Sequence, residues 1–280
     1  MSLAVAVLAG AGVLVGVLEN PQCKPDVPRS VRVLFEKRAA HWLSLEKPSA
    51  APPEMPEHWT VAFDGRSLGP LTTTDPGWHS DYAWTYPRDR LLDLAAQDAP
   101  TIPNRNRQFG GWCGPPVTRP LVVVSENHVA DPARWKACRV PAALREQLFA
   151  ALKARIDHVE VCVGDSDKPT AFYYSASDLE LLSGFKDRRG RRLLAISLAP
   201  ALNTCDGPVD GAWQPNWYLV GKGGRQSSFI GDGLTLVDAG DYDGDGRSEL
   251  FFWYSGYNND GYVLFADDFA TRASYLWSYH

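Results

Sequence analysis

The residues best equipped for chemistry lie near the C-terminus, in Asp238-Ala239-Gly240-Asp241-Tyr242-Asp243-Gly244-Asp245-Gly246-Arg247-Ser248-Glu249. Numbered from Asp241, carboxylates occupy positions 1, 3 and 5, glycine occupies position 6 and Glu249 position 9. Alternate carboxylates on a tightly curled backbone turn inward and surround one hard cation with oxygen. Gly246 permits the sharp turn that a residue with Cβ resists. Arg247, at position 7, offers its backbone carbonyl. Two carboxylates about 5 Å apart repel by roughly 3 kcal/mol at an effective dielectric near 20, so crowding four calls for a divalent ion. An all-protein oxygen cage suits calcium better than magnesium. The expected cofactor is therefore Ca2+, held by Asp241, Asp243, Asp245, Arg247 and Glu249.

An EF-hand needs a bidentate Glu at position 12, where Phe252 stands. The run Leu250-Phe251-Phe252-Trp253-Tyr254 is also strand-like rather than helical. A strand, a D-x-D-x-D-G-x-x-[DE] loop and a second strand instead resemble the FG-GAP (VCBS-type) repeat. That repeat builds the β-propellers of integrin α-subunits and of many bacterial secreted proteins. The resemblance covers about 35 residues, Leu234 to roughly Phe269. It implies the same five ligands, with Ser255-Gly256-Tyr257 in the loop that gives the repeat the second half of its name.

Internal repetition is faint. Phe185 to Leu194 can be laid on Asp241 to Leu250, which puts Gly190 on Gly246, but Phe185 and Arg189 stand where acids are needed. Asp64 to Leu68 can be laid on Asp245 to Glu249. Turn-then-strand units at such separations suggest propeller blades, and unrelated hairpins in a β-rich chain produce the same matches.

The elements that must position the loop are mostly strands. Trp59, Val61 and Phe63 alternate with polar or small residues, Asp64-Gly65-Arg66-Ser67 turns the chain, and Leu68 to Leu71 returns as a hairpin. Leu121 to Val124 reads as a buried strand. Further strands are expected at 157–163, 171–175, 192–198 and 216–221, then a meander near 234–238, 249–255, 261–266 and 273–279. Residues 141–155 form the one convincing internal helix, with Leu144, Leu148 and Leu152 four apart and Pro141 at its start. Near the N-terminus, Val31, Leu34, Phe35, Ala39, Trp42 and Leu45 recur at helical spacing, which predicts an amphipathic helix over Ser30 to Lys47. Four prolines between Pro48 and Pro56 follow as a semi-rigid linker. The expected class is mainly β: antiparallel hairpins and meanders, a small or partial propeller, one internal helix and an N-terminal helix.

Leu3 to Leu18 is uncharged and almost all Ala, Val, Leu and Gly. Sixteen residues fall short of the ~20 that span a bilayer and suit the h-region of a signal peptide. No Lys or Arg precedes the run and no small-x-small cleavage site follows it. The expected organisation is 1–22 as a signal peptide or membrane anchor, 23–56 as helix plus linker, and 57–280 as a β-rich domain with the calcium loop at 238–249. Cys113, Cys138, Cys162 and Cys205 admit two disulfides in three pairings, with Cys23 left over; buried free thiols are the alternative.

With 280 residues, 45% of them apolar and 22% charged, the chain can bury a full core. Net charge of -5 offers no positive field for nucleic acid. Other chemistries lack a residue each. Trp112-Cys113-Gly114-Pro115-Pro116 resembles a thioredoxin site but has Pro116 where the resolving thiol belongs. The six histidines show no H-x-x-x-H spacing, and there is no G-x-S-x-G elbow. Gly221 to Arg225 lacks P-loop spacing, and the basic run Lys186 to Arg192 suits a solvated hairpin tip. Four aromatics between Gly77 and Pro87 suit a sugar or a protein partner, or packing between strands.

These observations lead to an exported calcium-binding β-protein that acts as a binding module toward a glycan, an envelope component or another protein. It would meet a membrane only through an uncleaved N-terminal segment. One rival is a secreted hydrolase using acids such as Asp75, Asp81, Asp206 and Asp210. Another is a membrane-anchored envelope assembly factor.

Overall fold

Short runs rich in Val, Leu and aromatics become strands in the computed structural model, and their two-residue period sorts them into layers. The structure describes residues 12–19, 29–46, 53–74, 91–95, 99–103, 118–162, 168–199, 211–224 and 226–278.

The N-terminal half contributes β1 (Val13–Glu19), β2 (Ser30–Arg38), β3 (His41–Ser44), β4 (His58–Phe63), β5 (Arg66–Thr74) and β6 (Leu91–Leu94). It continues with the short pair β7 (Ile102–Pro103) and β8 (Thr118–Arg119), then β9 (Leu121–Val124). The order β1-β9-β4-β5-β6-β2-β3, with a further pairing of β1 to β2, closes six strands into a barrel-like ring. Closure removes the exposed edges that an open sheet must protect. At the β1–β2 seam the register shifts between Val15 and Gly16. A Cβ on Gly16 would lie 2.5 Å from the Arg32 carbonyl oxygen, so only glycine allows that approach.

One expectation for this half gives way. Residues 30–47 are not a helix: they form the β2–β3 hairpin, with Lys37 opposite Trp42 and Ala39 at φ 52° in the turn. The helical spacing of Val31, Leu34, Phe35 and Trp42 arises because β2 is buried on both faces, which erases the alternation of a half-exposed strand. Partners β1, β3 and β6 then fix the extended form. The apolar run continuing to Leu18 supplies β1, an interior strand whose Leu14, Val15, Val17 and Leu18 are buried. No helix among the described residues is long and apolar enough to cross a membrane.

The second half begins with β10 (Lys136–Cys138) and the helix α1 (Arg145–Lys153), entered through a 3-10 turn at Ala142–Leu144 after Pro141. Strands β11 (Val159–Val161) and β12 (Thr170–Phe172) pair with each other. Strands β13 (Leu179–Lys186), β14 (Arg192–Leu198), β15 (Asn216–Val220) and β16 (Ser227–Asp232) form an antiparallel meander, with β10 added beside β13. The last sheet is β17 (Leu234–Gly240), β18 (Glu249–Gly256), β19 (Asn259–Ala266) and β20 (Thr271–Ser278), paired in chain order. The predicted strands at 192–198 and 216–221 and the C-terminal meander are present. Strands β13 and β16 were not anticipated.

Alternation along β18 explains the layering. Phe251, Trp253, Tyr262 and Leu264 pack with the barrel residues, Phe251 meeting Phe35 edge-on at 6.0 Å. Leu250, Phe252, Val263 and Phe265 pack on the opposite side with Leu193, Ala195 and Trp217 of the five-stranded sheet. Leu148 and Leu152 of α1 cover that sheet's far face with Ile196, Tyr218 and Val220. The four-stranded sheet is thus a filling between barrel and meander. Cys138 is a free thiol, which removes it from the pairings expected of the four cysteines.

Candidate metal centre

Strand β17 ends at Gly240 and β18 begins at Glu249, so the acidic turn Asp241–Ser248 is the β17–β18 connection. Gly244 at φ 72° and Gly246 at φ 83° take the left-handed conformations that let it curl. Carboxylates fasten the curl from inside. Asp241 Oδ2 accepts from Gly246 N at 2.9 Å, Asp243 Oδ1 from Asp245 N at 3.2 Å, and Glu249 Oε2 from Tyr242 N at 2.8 Å. Outside the turn, Asp241 N donates to Ala130 O at 2.7 Å, and Ser248 Oγ donates to Asp131 Oδ1 at 2.5 Å.

Of the four carboxylates expected as ligands, three converge. One carboxylate oxygen from each of Asp241, Asp243 and Glu249 lies within 4.8 Å of the others. Oxygens bound to one calcium at 2.3–2.6 Å stand at most about 5 Å apart, so this spacing fits a single ion. Asp241 Oδ1 is buried with no hydrogen-bond partner, an acceptor of the sort a cation satisfies. Asp245 turns outward: its carboxylate receives Arg247 N at 2.8 Å and lies 2.7 Å from Arg247 Nη2. Arg247 also reaches Asp267 at 2.9 Å, so its side chain braces the rim.

Burial, and after it Asp243, pushes the Glu249 carboxyl up to about 8. Burial also raises Asp241, with Asp243 and Asp245 adding repulsion. For Asp245 burial acts in the same sense, but the Arg247 donors outweigh it and hold the carboxyl below its usual range. The cluster resists full ionisation unless positive charge enters.

Part of that charge comes from a residue the motif did not reveal. Lys37 of β2 places Nζ 2.6 Å from Asp243 Oδ2, with both side chains largely buried. Its only sequence signal was a basic residue in a run read as the polar face of a helix. Asp238 opens the acidic segment and is not among the expected ligands. It is buried beneath the turn, accepts from Asp64 N at 2.6 Å and Tyr242 Oη at 2.9 Å, and is raised to about 7 by burial. It ties the acidic turn to the β4–β5 turn.

The other turn aligned with this one behaves differently. Asp187 is buried but paired with Arg191 Nε at 2.6 Å, and Arg189 and Arg191 of the same tip reach Asp268. A cation of the chain takes the place an ion would need. Gly221–Gly224 is a hairpin turn, as its spacing suggested. Asp75, Asp81, Asp206 and Asp210, the aromatic stretch Gly77–Pro87 and the Trp112–Pro116 segment lie outside the described residues.

No protein-family model matches the chain, and neither a curated protein nor a solved structure matches it. Fold and site alone define its class: a mainly β, antiparallel protein with a barrel-like sheet and an acidic hairpin turn.

Proposed function

We propose that this chain is a calcium-binding β-protein whose ion is structural and whose role is binding, toward a glycan, an envelope component or another protein. The observation that carries the reading is the convergence of Asp241, Asp243 and the buried Glu249 on one small volume. Calcium there would neutralise the acids and pin β17 to β18, with Asp245 and the Arg247 carbonyl as the remaining ligands the loop pattern offers. Extracellular sites of this type bind at about 0.1–1 mM, which favours a calcium-rich compartment outside the cytoplasm. An exported chain would keep residues 13–19, since they form β1. The meanders β13–β16 and β17–β20, each four consecutive antiparallel strands, support reading them as blade-like units of a partial propeller.

Thermal melts of the full chain with calcium, magnesium or chelator test the site. Ligand at about 100 times its dissociation constant adds roughly 2.7 kcal/mol, a rise of about 5–10 °C. The rise is expected with calcium and absent from an Asp243→Ala, Asp245→Ala variant. Equal melting in all three solutions would remove the calcium reading.

Lys37 supplies a second, signed test. A lysine charge and a divalent ion about 5 Å apart at an effective dielectric near 20 repel by ~7 kcal/mol, of which solvent at the rim leaves on the order of 1 kcal/mol. Lys37→Met is therefore expected to tighten calcium roughly fivefold while lowering the melting temperature in chelator. Weaker calcium binding in a folded variant would mean that Lys37 orients Asp243 for the ion instead of competing with it.

A further inference from the structure

A cleft of about 1130 Å3 opens where the three large sheets meet, and the metal reading does not use it. The barrel contributes the β4–β5 turn, the central sheet contributes β17, and the five-stranded sheet contributes β10, β13 and β15. The volume slightly exceeds the range of about 300–1,000 Å3 in which proteins enclose small organic ligands.

Its charge runs against that of the molecule. Five cations line it, Arg66, Arg119, Arg134, Lys136 and Arg188, against the acids Asp64, Asp131 and Asp238, although the whole chain carries -5. Two of the acids are already engaged: Asp131 accepts from Trp135 N and Ser248 Oγ, and Asp238 from Asp64 N and Tyr242 Oη. The cations are freer. Among the described residues Arg66, Arg134, Lys136 and Arg188 have no ion-pair partner within 4.0 Å. Arg119 lies over the Phe63 ring at 4.8 Å and 3.8 Å from Asp64, and its buried Nε has no hydrogen-bond partner. A cleft in which cations outnumber acids five to three, bounded by low-dielectric walls, favours the opposite sign.

The remaining lining is aromatic. Phe185 stacks on the buried Trp217 at 6.1 Å, and Trp135 lies half-buried beside them. Flat π-faces next to cations favour a planar ring that carries a negative group. We propose that this cleft binds a small organic carboxylate with a planar aromatic body, the ring against Trp135 and Phe185 and the carboxylate among the cations that line it. The proposal stands on the cleft alone and does not need calcium at the acidic turn.

Indole-3-acetate, its neutral amide and the cation tryptamine share one ring and differ in charge, so calorimetric titration of the full chain with each tests the proposal. The acid is expected to bind at least tenfold tighter than the amide, with tryptamine weakest, and to weaken in 0.5 M salt. A Lys136→Glu, Arg188→Glu variant changes two exposed side chains and is expected to keep its melting temperature while losing at least tenfold in affinity for the acid. Equal binding of the three probes would reduce the cleft to an apolar cavity. No binding at millimolar acid, or unchanged binding in the folded variant, would overturn the proposal. Parallel titrations in calcium and in chelator separate this outcome from failure of the metal site.

Discussion

A chain of residues 23–280 is expected not to fold. The missing segment contains β1, which pairs with β2 on one side and β9 on the other inside the barrel-like ring. Leu14, Val15, Val17 and Leu18 are at most 2% exposed. Full burial of such side chains is worth about 1.5–3 kcal/mol each, so their loss removes roughly 6–12 kcal/mol. Whole domains are stable by about 5–15 kcal/mol, so the deletion consumes most of what a fold has. Glu19 goes too, and with it the acceptor for Tyr262 Oη. Circular dichroism and urea unfolding of the full and shortened chains, expressed side by side, give the answer. Cooperative unfolding at the same urea concentration in both would show that the ring does not need β1, and that the apolar run is dispensable in the manner of a cleaved signal.

Glu249→Gln is expected to raise stability without calcium and to abolish the calcium response, a combination that a merely structural glutamate does not produce. The sign follows from linkage. Burial raises the folded-state value of Glu249 from 4.5 to about 8, so the folded chain holds a proton that the unfolded chain releases. The stability contributed by that proton is complete below about pH 4.5 and declines as pH rises toward about 8. Metal-free wild type therefore loses stability across this window, while the glutamine variant, which does not titrate, loses less. At pH 8 the variant should melt a few degrees higher in chelator, on the order of 1–2 kcal/mol. Calcium must displace the same proton, so wild-type affinity should climb nearly tenfold per pH unit between pH 6 and pH 8. The variant keeps an amide oxygen for Tyr242 N but loses the buried anion, and its calcium affinity should fall at least tenfold. A variant that melts lower than wild type in chelator at pH 8 and still responds to calcium would show that Glu249 is no ligand.

How much of this was legible in the chain differs from element to element. The C-terminal meander and the hairpin around Asp64-Gly65 were readable because alternation and turn residues act over a few neighbours. The same holds for α1, whose Leu148 and Leu152 fall on one face after Pro141. The acidic turn was readable for a similar reason: three aspartates, two glycines and a glutamate within nine residues must be close in space whatever surrounds them. Strand β2 was not. With Val31, Leu34 and Phe35 all buried, its pattern satisfies a helical period as well as a strand buried on both faces, and the partners that choose between them are distant in sequence. For β1, composition describes an apolar run but not whether lipid, a signal-recognition groove or a sheet receives it.

The sequence by itself thus determined the mainly β character, the internal helix and the local chemistry of Asp241 to Glu249, since each rests on spacings of a few residues. Tertiary structure alone decided the rest. It closed six strands into a ring, turned Asp245 toward Arg247, set Lys37 against Asp243 across 206 positions of chain, and gathered five cations into a cleft of an acidic protein. Burial and Coulomb interaction depend on distance through space, and only the packed layers bring those distances into being.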